Sequence, residues 1–260
     1  DLPLTVTKNS LIVCASYSGN TEETLSAYKK AVTMKVKAIA MASGGQLEKL
    51  ATKNKTPYIG IDLKNIPPRL SVLYMFSSLV GLLVKSSILP GSAFSQLKSS
   101  VKNINVSDIK NLAFDTAVKV GSKTPLVYSS ARLSPLAYII KINFNENAKI
   151  HAFSNALPEC QHNEIQGFSD ESSNKNFYPI FLKDKKDHPR IGKRINVMAE
   201  MITRRNFTFS IIDLNFKNIF DKIIFSLFFG GFVSLRLAQL KNQDPIAVPF
   251  IEELKAALKK

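Results

Sequence analysis

Cysteine is scarce in this chain: Cys14 and Cys160 are the only two in 260 residues. Two isolated cysteines build neither a disulfide framework nor a metal-ligand spacing, which fits a reducing cytosol. Histidine is nearly as rare, and neither His151, His162 nor His188 has a second His or Cys at ligand spacing, so no metal is expected. Acidic residues fall short of basic ones, 20 against 35, leaving a net charge of +15. Such a field draws in nucleic acid, acidic membrane surfaces or anionic metabolites. The lysines are scattered among Asn and Ile, however, and no arginine-rich tail, zinc-finger spacing or helix-turn-helix is visible. Nucleic acid is therefore not the expected partner. Long hydrophobic runs are missing too. Residues 70–84 and 223–235 fall short of about 18 uninterrupted apolar residues and read as buried helices rather than membrane spans. With no leader pattern at its start, the chain is expected to be a soluble cytoplasmic protein. Its length suffices for one large or two modest domains.

What is present concentrates in one stretch, Ala15-Ser16-Tyr17-Ser18-Gly19-Asn20-Thr21-Glu22-Glu23-Thr24. An apolar, β-branched run at 10–14 precedes it and reads as a buried strand, while Leu25, Tyr28, Ala31 and Val32 recur behind it at helical spacing. Asn20 with Glu23 three residues on fits an N-cap and its reciprocal partner. A helix start presents unpaired N–H groups and partial positive charge to an anion. The hydroxyls of Ser16, Ser18 and Thr21 add donors, and Gly19 permits close backbone approach. A capped turn without ligand has the same local pattern.

Further along, residues 36–42 read as a second strand, ending in Ser43-Gly44-Gly45, and 46–53 as a helix. The repeated strand–turn–helix predicts a parallel βαβ unit whose ligands sit beyond the carboxyl ends of the strands. A third strand at 58–61 leads to Pro67-Pro68-Arg69, which launches the next helix. A cation in that first turn opposes the helix dipole, so Arg69 is either a ligand-holding group or a solvated surface arginine. Residues 91–115 read as a polar linker with one helix from Ser95. A second half opens with a strand at 124–130 and a helix at 136–142. Further strands are expected at 178–182 and 206–214, with a long apolar helix over 219–240 in which Gly230-Gly231 permits close helix contact.

The second informative stretch is 144–168, where Glu159, His162 and Glu164 gather in a segment bounded by Pro158 and Gly167. Two carboxylates and an imidazole can move protons if the site is dry enough to shift their pKa values, though a hydrogen-bonded turn accounts for them as well.

The loop Ser16–Thr24 resembles the signature loop of the sugar isomerase (SIS) domain family, which grips the phosphate of a phosphosugar. The resemblance implies substrate binding by Ser16, Ser18 and Thr21, and by Arg69, because Pro-Pro-Arg before an apolar helix recurs there. Pro158-Glu159-x-x-His162-Asn163-Glu164-Ile165-x-Gly167-Phe168 is similar to the archaeal and bacterial bifunctional phosphoglucose/phosphomannose isomerases. Asp187-His188-Pro189-Arg190-Ile191 and the tail, Asp244-Pro245 followed by Ile251-Glu252-Glu253-Leu254-Lys255, agree with it. The implied fold is α/β: two SIS-type sandwich domains with mostly parallel sheets, 1–92 and 116–260, joined by a linker region at 93–115. The first lacks the front segment usual in the family. The implied reaction interconverts glucose 6-phosphate and fructose 6-phosphate through a cis-enediol. Glu164 is the base, with Glu159 the second choice, and His188 (acting across a homodimer) and Lys255 open the ring. His162 orients the loop, and no metal or organic cofactor is implied. Mannose 6-phosphate is the less secure substrate, because no threonine stands between Asp244 and Lys255. Relatives usually carry Asp at Gly231 and Tyr at Arg236. A non-catalytic phosphosugar-binding protein and an inactive truncated isomerase are the alternative readings. The retained Glu164, His188 and Lys255 argue against a mere sensor.

Overall fold

The computed structural model describes residues 2–63 and 66–258, the side chains of residues 171 and 173 excepted. The chain forms two compact units, Asp1–Ser95 and Gln96–Lys260. In the first unit the apolar runs become β1 (Leu11–Ala15), β2 (Lys37–Ala42) and β3 (Tyr58–Gly60), parallel and in the order β1-β2-β3. Val13 lies beside Ile39, and Ala40 beside Tyr58. Helices α1 (Glu22–Thr33) and α2 (Gly45–Lys53) cross between them, as parallel pairing requires. The core is built of small residues: Ala38, Ala40 and Ala42 of β2 meet Ala31 and Ala51, which lets the helices lie close to the sheet. Tyr28 fills the remaining space, and its hydroxyl is satisfied by Thr56 Oγ1 at 2.6 Å and the Leu50 carbonyl at 3.3 Å. A 3₁₀ turn (Pro68–Leu70) and the apolar helix α3 (Val72–Lys85) follow.

Where the sequence suggests a polar linker, the chain is helical: α4 (Ser92–Asn103) and α5 (Val106–Val120). Only one face of α5 is polar; Ile109, Ala113, Ala117 and Val120 belong to the core of the second unit.

The remaining elements are β4 (Thr124–Ser130), α6 (Ser134–Ala148), β5 (Phe153–Leu157), α7 (Glu171–Asn174), β6 (Phe177–Lys183), α8 (Pro189–Thr203), β7 (Ser210–Asp213), α9 (Ile219–Leu240) and α10 (Pro249–Ala257). The four strands pair in parallel in the order β5-β4-β6-β7. Successive side chains point to opposite faces. Val127, Ile180 and Leu182 join the layer of α5, α6 and α9, whereas Tyr128 and Phe181 pack with Ile195, Met198 and Ile202 of α8. Helix α9 is long and apolar enough to cross a membrane by length and composition. Here it is a core helix, burying Ile224, Phe229, Val233 and Leu237. A Cβ on Gly230 would stand 3.2 Å from the Ile140 backbone, so this residue sets the α6–α9 approach, while Gly231 faces open space. Arg236 lies over the Phe114 ring, 5.4 Å from its centroid.

Candidate active site

In the first unit, Ser16, Ser18 and Thr21 are brought onto one loop at the carboxyl end of β1. Ser16 is buried; its Oγ pairs with Thr21 Oγ1 at 2.8 Å and accepts from the Gly19 amide at 3.1 Å. Ser18 is exposed and its Oγ accepts from the Asn20 amide. The expected cap is displaced by one residue. Thr21, not Asn20, is the N-cap of α1, and it makes no side-chain capping bond to the helix because its hydroxyl faces Ser16. Asn20 instead accepts from the Gln46 amide at 3.0 Å, at the start of α2. The Ser43 amide and hydroxyl both donate to the Tyr17 carbonyl, so the β1–α1 and β2–α2 turns lock together. The fit is tight. Gly19 has φ +67°, and a Cβ there would lie 1.9 Å from the Gly44 carbonyl oxygen; one on Gly45, at φ +77°, would lie 2.4 Å from that of Ser18. Arg69 sits half-buried in the 3₁₀ turn beyond β3. Earlier in that same connection, the Leu63 carbonyl accepts from Tyr17 Oη at 2.8 Å.

In the second unit, Glu164 opens a 3₁₀ segment (Glu164–Ser169) directly after the turn Glu159–His162. Both of its oxygens are held from the sheet. Tyr128 Oη of β4 donates to Oε2 at 2.9 Å, and Asn155 Nδ2 of β5 donates to Oε1. Burial, with the Glu164 charge beside it, pushes the Tyr128 phenol far above its ordinary range, so it remains a donor at any working pH. The same two causes push the Cys160 thiol up to about 12, which leaves a protonated and unreactive cysteine. His162 is exposed. Residues 145–148 form the last turn of α6, with Lys149 as its C-cap and Asn147 donating to Ser234 of α9 at 2.9 Å.

His188 is the N-cap of α8 and is exposed. Its Nδ1 accepts from the Arg190 amide at 3.2 Å, which places the proton of the neutral ring on Nε2. Lys255 is on α10, a helix with no buried residue. The segment before α10 is tied down by Lys149 Nζ, which donates to the Asp244 carbonyl at 2.6 Å. No hydrogen bond or ion pair joins Glu164, His188 and Lys255 to one another among the described residues.

The loop leading to His188 holds an ionic cluster that the motifs give no hint of. Asp184 Oδ2 receives both Lys222 Nζ from α9 and Arg132 Nη2 from the turn after β4. Arg132 Nε and Ser130 Oγ each reach Asp187 Oδ1 at 2.9 Å. Burial alone would raise the Asp184 pKa, but the bonds from Lys222, the Lys186 amide and Arg132 prevail and hold it below the usual carboxylate range. One sequence signal does exist: Lys222 stands alone in an apolar helix, and a charge in such a place requires a partner. Among the described residues no group of three His, Cys, Asp or Glu side chains is placed to hold a metal ion.

Residues 109–258 match the family described as the bacterial phospho-glucose isomerase C-terminal SIS domain. The bifunctional phosphoglucose/phosphomannose isomerase of Thermoplasma volcanium is 33% identical, over 98% of this chain and 80% of that protein. The D-glucosamine-6-phosphate 4-epimerase of Sulfolobus acidocaldarius is 31% identical, over 95% of this chain and 77% of that one. Among solved structures, glucosamine-6-phosphate deaminase of Thermotoga maritima shares the fold, with TM-score 0.70 at 13% identity over 95% of this chain and 75% of that chain. Parallel α/β architecture, the hydroxyl-lined loop after β1 and the anchored Glu164 thus coincide with similarity along nearly the whole length, and the chain belongs to the bifunctional phosphoglucose/phosphomannose isomerase family of SIS-domain proteins.

Proposed function

We propose that this isomerase interconverts glucose 6-phosphate and fructose 6-phosphate, with mannose 6-phosphate as a second aldose. Two SIS-type domains, corresponding to the two compact units, carry the work in a cytoplasmic homodimer. The observation that carries the reading is the state of Glu164. An aldose–ketose isomerase needs one carboxylate that takes a proton from C2 and returns it to C1 across a cis-enediol. Glu164 is half-buried and both oxygens are fixed by neutral donors, Tyr128 and Asn155. Its orientation is set before substrate arrives, and among the described residues no cation is ion-paired with it.

The phosphate is assigned to Ser16, Ser18 and Thr21 with the first turn of α1, and to Arg69. Ring opening requires a proton delivered to the ring oxygen and one removed from the anomeric hydroxyl. His188, acting in the partner's site, and Lys255 are the pair assigned to these two transfers. The proton inventory balances: one proton leaves C2 and returns at C1, the proton lost by the C2 hydroxyl is matched by one gained at O1 through the enediol, and those exchanged in ring opening are restored at closure.

The test is a coupled assay for conversion of fructose 6-phosphate, with glucose and mannose 6-phosphates detected separately. Glu164→Gln is expected to lower kcat at least about a hundredfold, in the range of lost general-base catalysis, while 5-phosphoarabinonate, an enediolate mimic, still binds. Full activity in that variant would sink the assignment of the base. Wild-type silence with the mimic still bound would favour a sugar-phosphate sensor. Including glucosamine 6-phosphate checks the substrate named for the epimerase relative.

A further inference from the structure

We infer that Arg132 is a positioning residue for His188, acting through Asp184 and Asp187; the inference rests on the reading of His188 as the ring-opening group. Residues 184–187 are the whole connection between β6 and His188. The guanidinium of Arg132 spans that connection, with Nη2 on the carboxylate at its start and Nε on the one at its end. A planar fork fixes both carboxylates relative to each other as no single-point cation can. The connection is closed on itself by the Asp187 amide donating to the Asp184 carbonyl at 3.1 Å and by the Lys186 amide donating to Asp184 Oδ1 at 3.0 Å. Ser130 Oγ braces Asp187 from the end of β4. The residue delivered at the far end is His188, and its Nδ1 keeps the bond to the Arg190 amide, and with it one tautomer, only while the connection holds the ring at that angle.

Fold stability does not demand this arrangement. Asp184 already has a buried partner in Lys222, whose side chain is 1% exposed, whereas that of Arg132 is 42% exposed. Arg132 therefore adds little burial of its own. Asp187, the carboxylate next to His188, has its Oδ2 buried without a hydrogen-bond partner among the described residues, and its side-chain anchors there are Ser130 and Arg132, both on Oδ1. Take Arg132 away and Asp184 stays paired, while the end of the connection nearest His188 loosens.

Two readouts test this. The first needs no turnover: ¹⁵N NMR of the imidazoles, three in all, reports the His188 tautomer. Wild type is expected to show one tautomer protonated on Nε2, and Arg132→Gln a mixture; an unchanged single tautomer overturns the inference. The second is a double-mutant cycle with fructose 6-phosphate. Arg132→Gln should lower kcat about tenfold to a hundredfold with KM little changed, the scale of a misplaced catalytic group, and should have no further effect in a His188→Gln background. An equal drop in both backgrounds marks a merely structural role and overturns the inference. Ser130→Ala, removing the other brace on Asp187, should show a smaller drop with the same non-additivity, and it replaces Arg132→Gln in both readouts if that variant does not fold. If His188→Gln itself turns over at the wild-type rate, the role of His188 falls and this inference with it. The base assignment stands or falls separately on Glu164→Gln.

Discussion

The loops that follow β1 and β4 are built alike and filled differently. Each leaves the carboxyl end of a parallel strand through serines and enters a helix: Ser16-Tyr17-Ser18 before α1, and Ser129-Ser130-Ala131 before α6. After β1 the loop closes against neighbouring backbone, Gly19 on Gly44 and Gly45 on Ser18, and among the described residues no carboxylate side chain is bonded to its hydroxyls. After β4 the same kind of place is filled by the protein's own anions, Asp184 and Asp187, with Arg132 and Lys222 as counter-charges. The second loop has its anions supplied by the chain itself; the first, on the proposed function, takes its anion from outside. A sheet rim that concentrates donors can therefore serve as a substrate cradle or as an internal ionic latch, and what decides is which acidic residues the next connection carries.

The contrast breaks most forcefully at Lys222. Lys222→Met leaves Asp184 in the interior with only the half-exposed Arg132 as a cation. Loss of one partner of a buried pair costs about 3–5 kcal/mol, and urea denaturation is the measurement. Adding Asp184→Asn removes the orphaned charge and should recover a good part of that loss. If Lys222→Met unfolds at the wild-type midpoint, the latch is no ion pair of consequence. No comparable single charge exists in the first loop.

There the sensitive position is Gly19. An alanine would be held at φ +67° with its methyl driven into the Gly44 carbonyl, so the two turns must separate. Strain of this kind costs about 1–3 kcal/mol, and the larger consequence is functional. If the first loop is the open cradle, fructose 6-phosphate raises the melting temperature of the wild type through binding to the folded state. Gly19→Ala should abolish that rise, whereas Ser130→Ala, in the occupied loop, should keep it. Equal ligand-induced shifts in wild type and Gly19→Ala would place the phosphate elsewhere.

How much of this was legible beforehand follows from how local each feature is. The strand–turn–helix around Ser16 and the 3₁₀ turns around Glu164 depend on adjacent residues, and their motifs could be read directly. Strand β5, by contrast, went unread: Phe153-Ser154-Asn155-Ala156-Leu157 has little β-branched content, and its pairing with β4 is a tertiary fact. Helix α5 looks like linker because only one stripe of it, Ile109, Ala113, Thr116, Ala117 and Val120, is buried. The two residues that anchor the Glu164 carboxylate, Tyr128 and Asn155, come from strands whose order no periodicity announces. Likewise the cap moved from Asn20 to Thr21 because the α2 amide at Gln46, remote in sequence, competed for the Asn20 side chain. Local chemistry was readable, and the residues recruited across the sheet were not.

The smallest expected effect sharpens the same contrast through pH. The Asp184 carboxyl titrates below its ordinary range in the folded protein, so between the unfolded and folded values the unfolded chain binds more protons. The stability this group contributes is fully present above about pH 4, the unperturbed carboxylate value, and is lost as pH falls through that value toward the folded one. Replacing Asp184 and Lys222 together by Asn and Met removes both charges and with them this slope. Urea midpoints measured down an acid series should therefore converge, the wild type falling faster than the double variant below about pH 4. Parallel curves would mean that Asp184 titrates alike folded and unfolded, and the internal anion would then be a geometric coincidence rather than the counterpart of the phosphate proposed for the first loop.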